Sequence, residues 1–385
     1  MKYAFSTICI NPNFPVKQAG FIQQVKPIYN FHDDLHARII SFDDGERIAY
    51  HVSLDILGIY DVAQDYLKDY LQSKSDKPVS ITLSATHTHF AGDARDLRYQ
   101  GEVVEKLVHA LDNLEFKEGN LEISYQFVPF EGVGTSRISN HKANVLLQLL
   151  MVYADQKPII GMIVHNCHPT ILSGDTPYFS SEYPGYTISE LRRLYPDIYF
   201  TFMQGAAGDV STRFTRSSQE YNAVVELGNN LVNKVSELVG QTVQLSSFNN
   251  VSYDFAVLPL QHEFNPIDIS NLSDNLTERE IETIRTGAKV RENLSKKLYT
   301  LDKQVMISKL SFGPYRLVFC PNEVFSSYID CIDIKDTALV CYSNGYSPYM
   351  TGVNDDFITY EKFTDTLTVD TKKKYMELIS SLGGK

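Results

Sequence analysis

Residues 79–93 read VSITLSATHTHFAGD. The first part alternates Val79, Ile81 and Leu83 with small hydroxyl residues, the period-2 pattern of a β-strand. His87 and His89 follow, one residue apart, and on extended backbone residues i and i+2 project to the same side. Two imidazoles leaving a strand end together, next to Gly92, can reach a common point in a cleft. Neutral imidazole binds Zn²⁺ well, so that point is a candidate metal site. Histidines satisfied by structural hydrogen bonds give the same short pattern, and the remaining ligands have to come from elsewhere in the chain.

Upstream, Lys2–Ile10 reads as a strand. Leu35–Phe42 and Arg47–Ile56 read as two more, joined by the Asp-Gly turn Asp43–Glu46. Asp55 then stands inside an apolar strand end, either as an acceptor for backbone N–H groups or as a partner orienting a metal-binding histidine. Ile59, Val62, Ala63, Tyr66, Leu67, Tyr70 and Leu71 recur at helical spacing. Downstream, the spacing predicts a helix over Glu102–Leu114 and a strand over Leu121–Phe130, followed by a glycine-rich turn around Arg137.

The apolar run Pro158–Val164 has the mark of a strand covered on both faces, and it leads into His165 and His168. Further elements are a helix near Tyr183–Leu194, a strand at Tyr199–Met203, a helix at Gln219–Leu238 and a long strand region at Thr242–Leu260. Strands at Gln304–Phe312, Tyr315–Cys320 and Thr337–Tyr342 and a helix at Lys373–Leu382 complete the order. Asn271–Leu298 is charged and helical, with a capping box at Thr277 and Glu280, and reads as a lid or a surface excursion. Strands alternating with helices, with no visible repeat or linker, predict an α/β fold: one compact catalytic domain over residues 1–385, with mixed β-sheets covered by helices.

The bulk composition limits the partners. A formal net charge of −12 leaves no basic stripe for nucleic acid. No stretch approaches about 20 consecutive apolar residues, so no membrane span is expected. The start of the chain lacks a secretory profile, and a cytoplasmic location is the expectation. Five cysteines without a Cys-x-x-Cys pair fit reduced thiols.

Four strand ends carry polar groups that strands do not need: His87 and His89, His168, Glu323, and Tyr346 or Tyr349. Two imidazoles plus a carboxylate form a catalytic zinc set that leaves room for water or substrate. At these residues the sequence resembles the neutral, non-lysosomal ceramidases, zinc-dependent amidases that split ceramide. The resemblance runs through Ala19–Phe21, Leu35–Gly45, SATHTH, HPT at His168, SEYPG at Ser181–Gly185, QGAAGDVS at Gln204–Ser211, PNEVF, NGYSPYMTG and ITYE at Ile358–Glu361.

It implies zinc ligands His87, His168, Glu323 and Tyr349, with His89 as an acid/base or oxyanion group and Arg137 and Tyr360 contacting the substrate carbonyl. Ser211 falls where the family has a serine assigned to catalysis. The expected activity is hydrolysis of an N-acyl amide, a ceramide-like lipid or a smaller molecule. The alternatives are a serine hydrolase using Ser211, with Asp209 or Asp55, and a non-catalytic zinc-binding protein. The absence of a Gly-x-Ser-x-Gly elbow counts against the serine reading.

Overall fold

The computed structural model describes residues 1–385 apart from 21–25, 140, 266, 270, 271, 273–275, 299, 300 and 356. The Phe21 end of the Ala19–Phe21 motif and the start of the Asn271–Leu298 segment therefore lie outside the described residues. β1 (Lys2–Cys9), β2 (His36–Asp43), β3 (Ile48–Leu54), β4 (Val79–Ala85) and the short β5 (Lys117–Glu118) form a sheet in the order β4-β3-β2-β1-β5. β2 and β3 are an antiparallel hairpin whose turn places Gly45 at φ 96°. α1 (Asp61–Ser73) then leads to β4, which pairs parallel with β3.

The second sheet repeats this plan. β8 (Leu146–Ala154) and β9 (Lys157–His165) are an antiparallel hairpin, α3 (Glu182–Leu194) follows, and β10 (Tyr199–Gln204) returns parallel to β9. β6 (Leu121–Pro129) and β12 (Ser246–Ser247) extend the other side, giving the order β10-β9-β8-β6-β12.

The apolar faces sort these elements into layers. Ile39, Val52, Leu54, Ile81 and Leu83 share a core with α1 and α2 (Leu97–Asp112). Ile40, Phe42 and Ala49 meet Val152, Ile160, Met162 and Val164 of the second sheet. Leu147, Leu149, Ile163, Phe200 and Phe202 face α3 and α4 (Tyr221–Val239). The order is helix, sheet, sheet, helix, so the two parallel edges lie together, and Ser53 Oγ donates to Phe202 O between them.

A third sheet, β13 (Val251–Pro259), β14 (Gln304–Phe312), β15 (Tyr315–Phe319) and β17 (Thr337–Val340), carries the C-terminal part. Two small pairs complete the strands. β7 (Thr135–Ser136) pairs with β11 (Val210–Ser211), and β16 (Asn322–Val324) pairs parallel with β18 (Ser347–Met350).

Several elements depart from the sequence expectation. LLQLLMVYA, which is β8, carries no predicted strand: it is buried on both faces, so its apolar run lacks the alternation that signals one. α2 begins at Leu97, where the Asp96 side chain accepts from the N–H groups of Arg98 and Tyr99, rather than at Glu102. Thr242–Leu260 is split between two sheets, β12 and β13. The last helix, α7 (Val369–Gly383), starts at Val369 on a Thr368 cap rather than at Lys373. The capping box at Thr277 and Glu280 opens α5 (Glu278–Ser295). This helix packs on the C-terminal part of the chain through a few buried positions. Its Ile284 is 2% exposed, and a Cβ on Gly287 would sit 3.2 Å from Tyr360 Cα and 3.0 Å from Phe363 Cβ of α6 (Tyr360–Thr364).

Candidate metal and catalytic site

The end of β4 delivers the first histidine. Thr86 N–H donates to Leu54 O (2.8 Å) and His87 N–H to Ile56 O (3.0 Å), which fastens this loop to the end of β3. His87 adopts φ 65°, a left-handed backbone that a non-glycine residue takes at a cost. Its Nδ1 lies 2.7 Å from Leu57 O, which places the proton there and leaves the Nε2 lone pair facing inward. His168 is held in the same way: Nδ1 meets Ala207 O at 2.7 Å, and its N–H donates to Val210 O at 3.1 Å.

Glu323 comes from β16, which lies against Gly208. A Cβ at Gly208 would fall 2.6 Å from Glu323 O and 2.8 Å from Val324 O, so only glycine admits this approach. Glu323 Oε2 is 3.1 Å from His168 Nε2 and 3.4 Å from His87 Nε2. Tyr349 Oη is 3.3 Å from His168 Nε2, and His89 Nε2 is 3.3 Å from His87 Nε2. His87 and His168 are fully buried, and Glu323 nearly so.

The chemistry of these donors fits a cation. The lone pairs of two imidazoles and a carboxylate oxygen point at one another with their other hydrogen-bonding atoms already committed. Zinc–nitrogen and zinc–oxygen bonds of about 2.0–2.1 Å in a tetrahedral shell put neighbouring donors about 3.3–3.4 Å apart. The spacings of 3.1, 3.3 and 3.4 Å lie close to that edge length. Ring nitrogens of His87, His89 and His168 all lie within 4.8 Å of one another. Burial brings the His168 imidazole down to about 4, with Arg137 adding to the effect. Burial alone would raise the Glu323 carboxyl, but the facing His87 and His168 hold it well below the usual carboxylate range. Neutral imidazoles and an ionised carboxylate are the ligating forms.

Above this cluster opens a cleft of about 1180 Å³. His89, Arg137, Ser211, Tyr349 and Tyr360 line it on the metal-fit side, and α5 forms the opposite wall with Glu280 and Ile284. Arg137 donates from Nε and Nη2 to Gly208 O (3.1 and 2.6 Å) and from Nη2 to Tyr349 Oη (2.8 Å). It also pairs with Glu361 at 3.1 Å. Tyr360 meets Tyr349 edge to face at 6.1 Å, and its phenol is pushed up to about 12 by burial, then by Glu323 and Glu361. It therefore remains a protonated donor.

His87, His89, Arg137, His168, Ser211, Glu323, Tyr349 and Tyr360 thus lie in the cluster or line the cleft beside it, although they span positions 87 to 360. Two expectations take their sense from the geometry. Asp55 does not orient a metal-facing histidine: both its oxygens hold Arg38 Nη1 at 2.9 Å, and Oδ2 accepts from His36 N–H at 2.9 Å. Ser211 sits in β11, and its hydroxyl accepts from Arg213 N–H at 3.4 Å; among the described residues it is not hydrogen-bonded to any histidine or carboxylate. Asp209 accepts from the Ser326 N–H (2.6 Å) and hydroxyl (2.8 Å) and meets His141 at 3.2 Å. A serine triad therefore has no assembled base.

Sequence reasoning missed the carbonyls of Leu57 and Ala207 and the Tyr342 ring, which stacks on His87 at 3.9 Å. None of these carries a local motif.

By sequence the chain matches no protein-family model and no curated protein. By structure it resembles the neutral ceramidase of Pseudomonas aeruginosa, with a TM-score of 0.76 and 14% identity over 99% of this chain and 74% of that one. It resembles ceramidase complexed with C2 with a TM-score of 0.77, at the same identity and coverage. The fold is that of neutral ceramidase.

Proposed function

We propose that the protein is a zinc-dependent amidohydrolase acting on a linear N-acyl amide, either a ceramide-like lipid or a smaller acyl amide. The observation that carries this reading is the convergence of His87, His168, Glu323 and Tyr349, with three donor pairs 3.1–3.4 Å apart, below a large cleft. The structural resemblance to ceramidase supports the amide class.

His87, His168, Glu323 and Tyr349 would hold the ion. When bound there, zinc supplies Lewis acidity and brings the pKa of coordinated water to about 7. The protein groups do the rest. Arg137, fixed by Gly208 O and Glu361, and the protonated Tyr360 present donors to the amide oxygen, whose charge grows as the carbonyl carbon becomes tetrahedral. His89, held neutral by burial and by its imidazole neighbours, stands on the cleft face of the cluster, where it can take the proton that the attacking water releases and pass it to the leaving amine. The α5 wall would face the acyl or amine arm of a substrate in the cleft.

The test is a series of N-acyl amides of increasing chain length. Hydrolysis should be lost on chelation, restored by Zn²⁺ and indifferent to a fluorophosphonate probe. Full activity in the chelated protein, or labelling of Ser211 with loss of activity, would overturn the reading.

A further inference from the structure

Tyr346 lies next to the donor set without belonging to it. Its hydroxyl donates to Glu323 Oε1 at 2.6 Å, while Oε2 of the same carboxylate faces the two imidazoles. The two oxygens are thus divided between a phenol and the metal position. Tyr349, three residues on, has the hydroxyl that reaches His168 Nε2.

The arrangement is rigid on both sides. Tyr346 immediately precedes β18, which pairs parallel with β16, the strand of Glu323, with a register shift between Asn322 and Glu323. On its other side the ring packs against Gly58, where an added Cβ would fall 2.3 Å from Tyr346 Cγ. Gly58 follows Leu57, whose carbonyl holds His87 Nδ1. One dipeptide therefore steadies a histidine through its carbonyl and a tyrosine through its missing side chain.

We propose that Tyr346 is a positioning residue that fixes Glu323 to ligation through a single oxygen, and that this hydrogen bond sets the affinity of the site for zinc. The inference rests on the metal reading above. Outer partners of metal ligands typically contribute about 10–100-fold to metal affinity.

The experiment is a zinc competition titration with a chromophoric chelator on wild type and Y346F. Zinc binding should weaken by about 10–100-fold in Y346F, while the metal-free forms of the two proteins melt together. The Co²⁺-substituted Y346F should also show altered visible bands. Equal zinc affinity and an unchanged cobalt spectrum would overturn the inference, as would a loss of metal-free stability with no loss of affinity, the mark of a merely structural tyrosine. If Y346F does not fold, zinc-edge absorption on the wild type decides: one carboxylate oxygen in the shell supports the inference, and two overturn it. A wild type that binds no zinc overturns the functional proposal itself, which separates the two failures.

Discussion

The imidazole side of the cluster and its carboxylate side are built differently. His87 and His168 leave the ends of strands in two stacked sheets of like topology, and each is locked by a backbone carbonyl, Leu57 O or Ala207 O. Glu323 and Tyr349 sit on a two-stranded pair, β16 and β18, and are braced by side chains instead. Tyr346 braces Glu323, and Arg137 with Glu361 braces Tyr349. Behind them Lys372 pairs with Asp365 at 2.5 Å, and Asp365 accepts from Thr351 N–H at 2.9 Å, pinning the end of β18 to α7. A carbonyl anchor survives substitution of the residue that supplies it. A side-chain brace does not, so the carboxylate side should be the more sensitive to mutation around it.

The largest effect should come from the donors themselves. His168→Ala should abolish stoichiometric zinc and lower kcat/KM by about 10³-fold or more, read by metal analysis together with amide hydrolysis. Retained zinc would break the equivalence of the two histidines. Next, Lys372→Met leaves the buried Asp365 carboxylate uncompensated and should lower stability by about 3–5 kcal/mol in urea titrations. A loss below about 1 kcal/mol, the level of an exposed pair, would show that the carboxylate side does not depend on its braces.

Arg137→Ala removes a brace of Tyr349 as well as a donor: it should weaken zinc by about 10-fold and, at saturating zinc, lower kcat by about 10²–10³-fold, the usual cost of one oxyanion donor. An undiminished kcat at saturating zinc would make Arg137 a brace only.

A smaller, pH-dependent effect belongs to the imidazole side. Glu182 accepts from Ile171 and Leu172 N–H in the loop after His168, and burial pushes its carboxyl up to about 8. Its folded pKa lies above the ordinary value of 4.5. The stabilisation it gives is therefore complete below about pH 4.5 and is lost as the pH rises through about 8. Glu182→Gln should flatten the stability profile across that window, a difference on the order of 3 kcal/mol between its ends. An unchanged slope would contradict the assignment.

The same contrast explains what could be read from the sequence. SATHTH and the segment before His168 were legible because a strand end with its histidine is a local pattern. Glu323 and the pair Tyr346 and Tyr349 stood out as polar groups at strand ends, whereas the preference for Tyr349 and the roles of Arg137 and Tyr360 were reached through the resemblance, since no periodicity links them. The choice between Tyr346 and Tyr349 was not legible: both hydroxyls point to the site, and only distance separates the one on Glu323 from the one beside His168. β8 was hidden by burial on both faces, and the place of α5 depended on its packing against α6. Asp55 looked available because a buried carboxylate needs a partner, and Arg38, 17 residues upstream, supplies it.

The most direct measurement is X-ray diffraction recorded on both sides of the zinc absorption edge, from crystals of protein supplied with zinc. The expected result is one anomalous peak at about 2.0–2.2 Å from His87 Nε2, His168 Nε2 and Glu323 Oε2. No peak between these atoms, with the imidazoles and the carboxylate bonded to one another instead, would contradict the account.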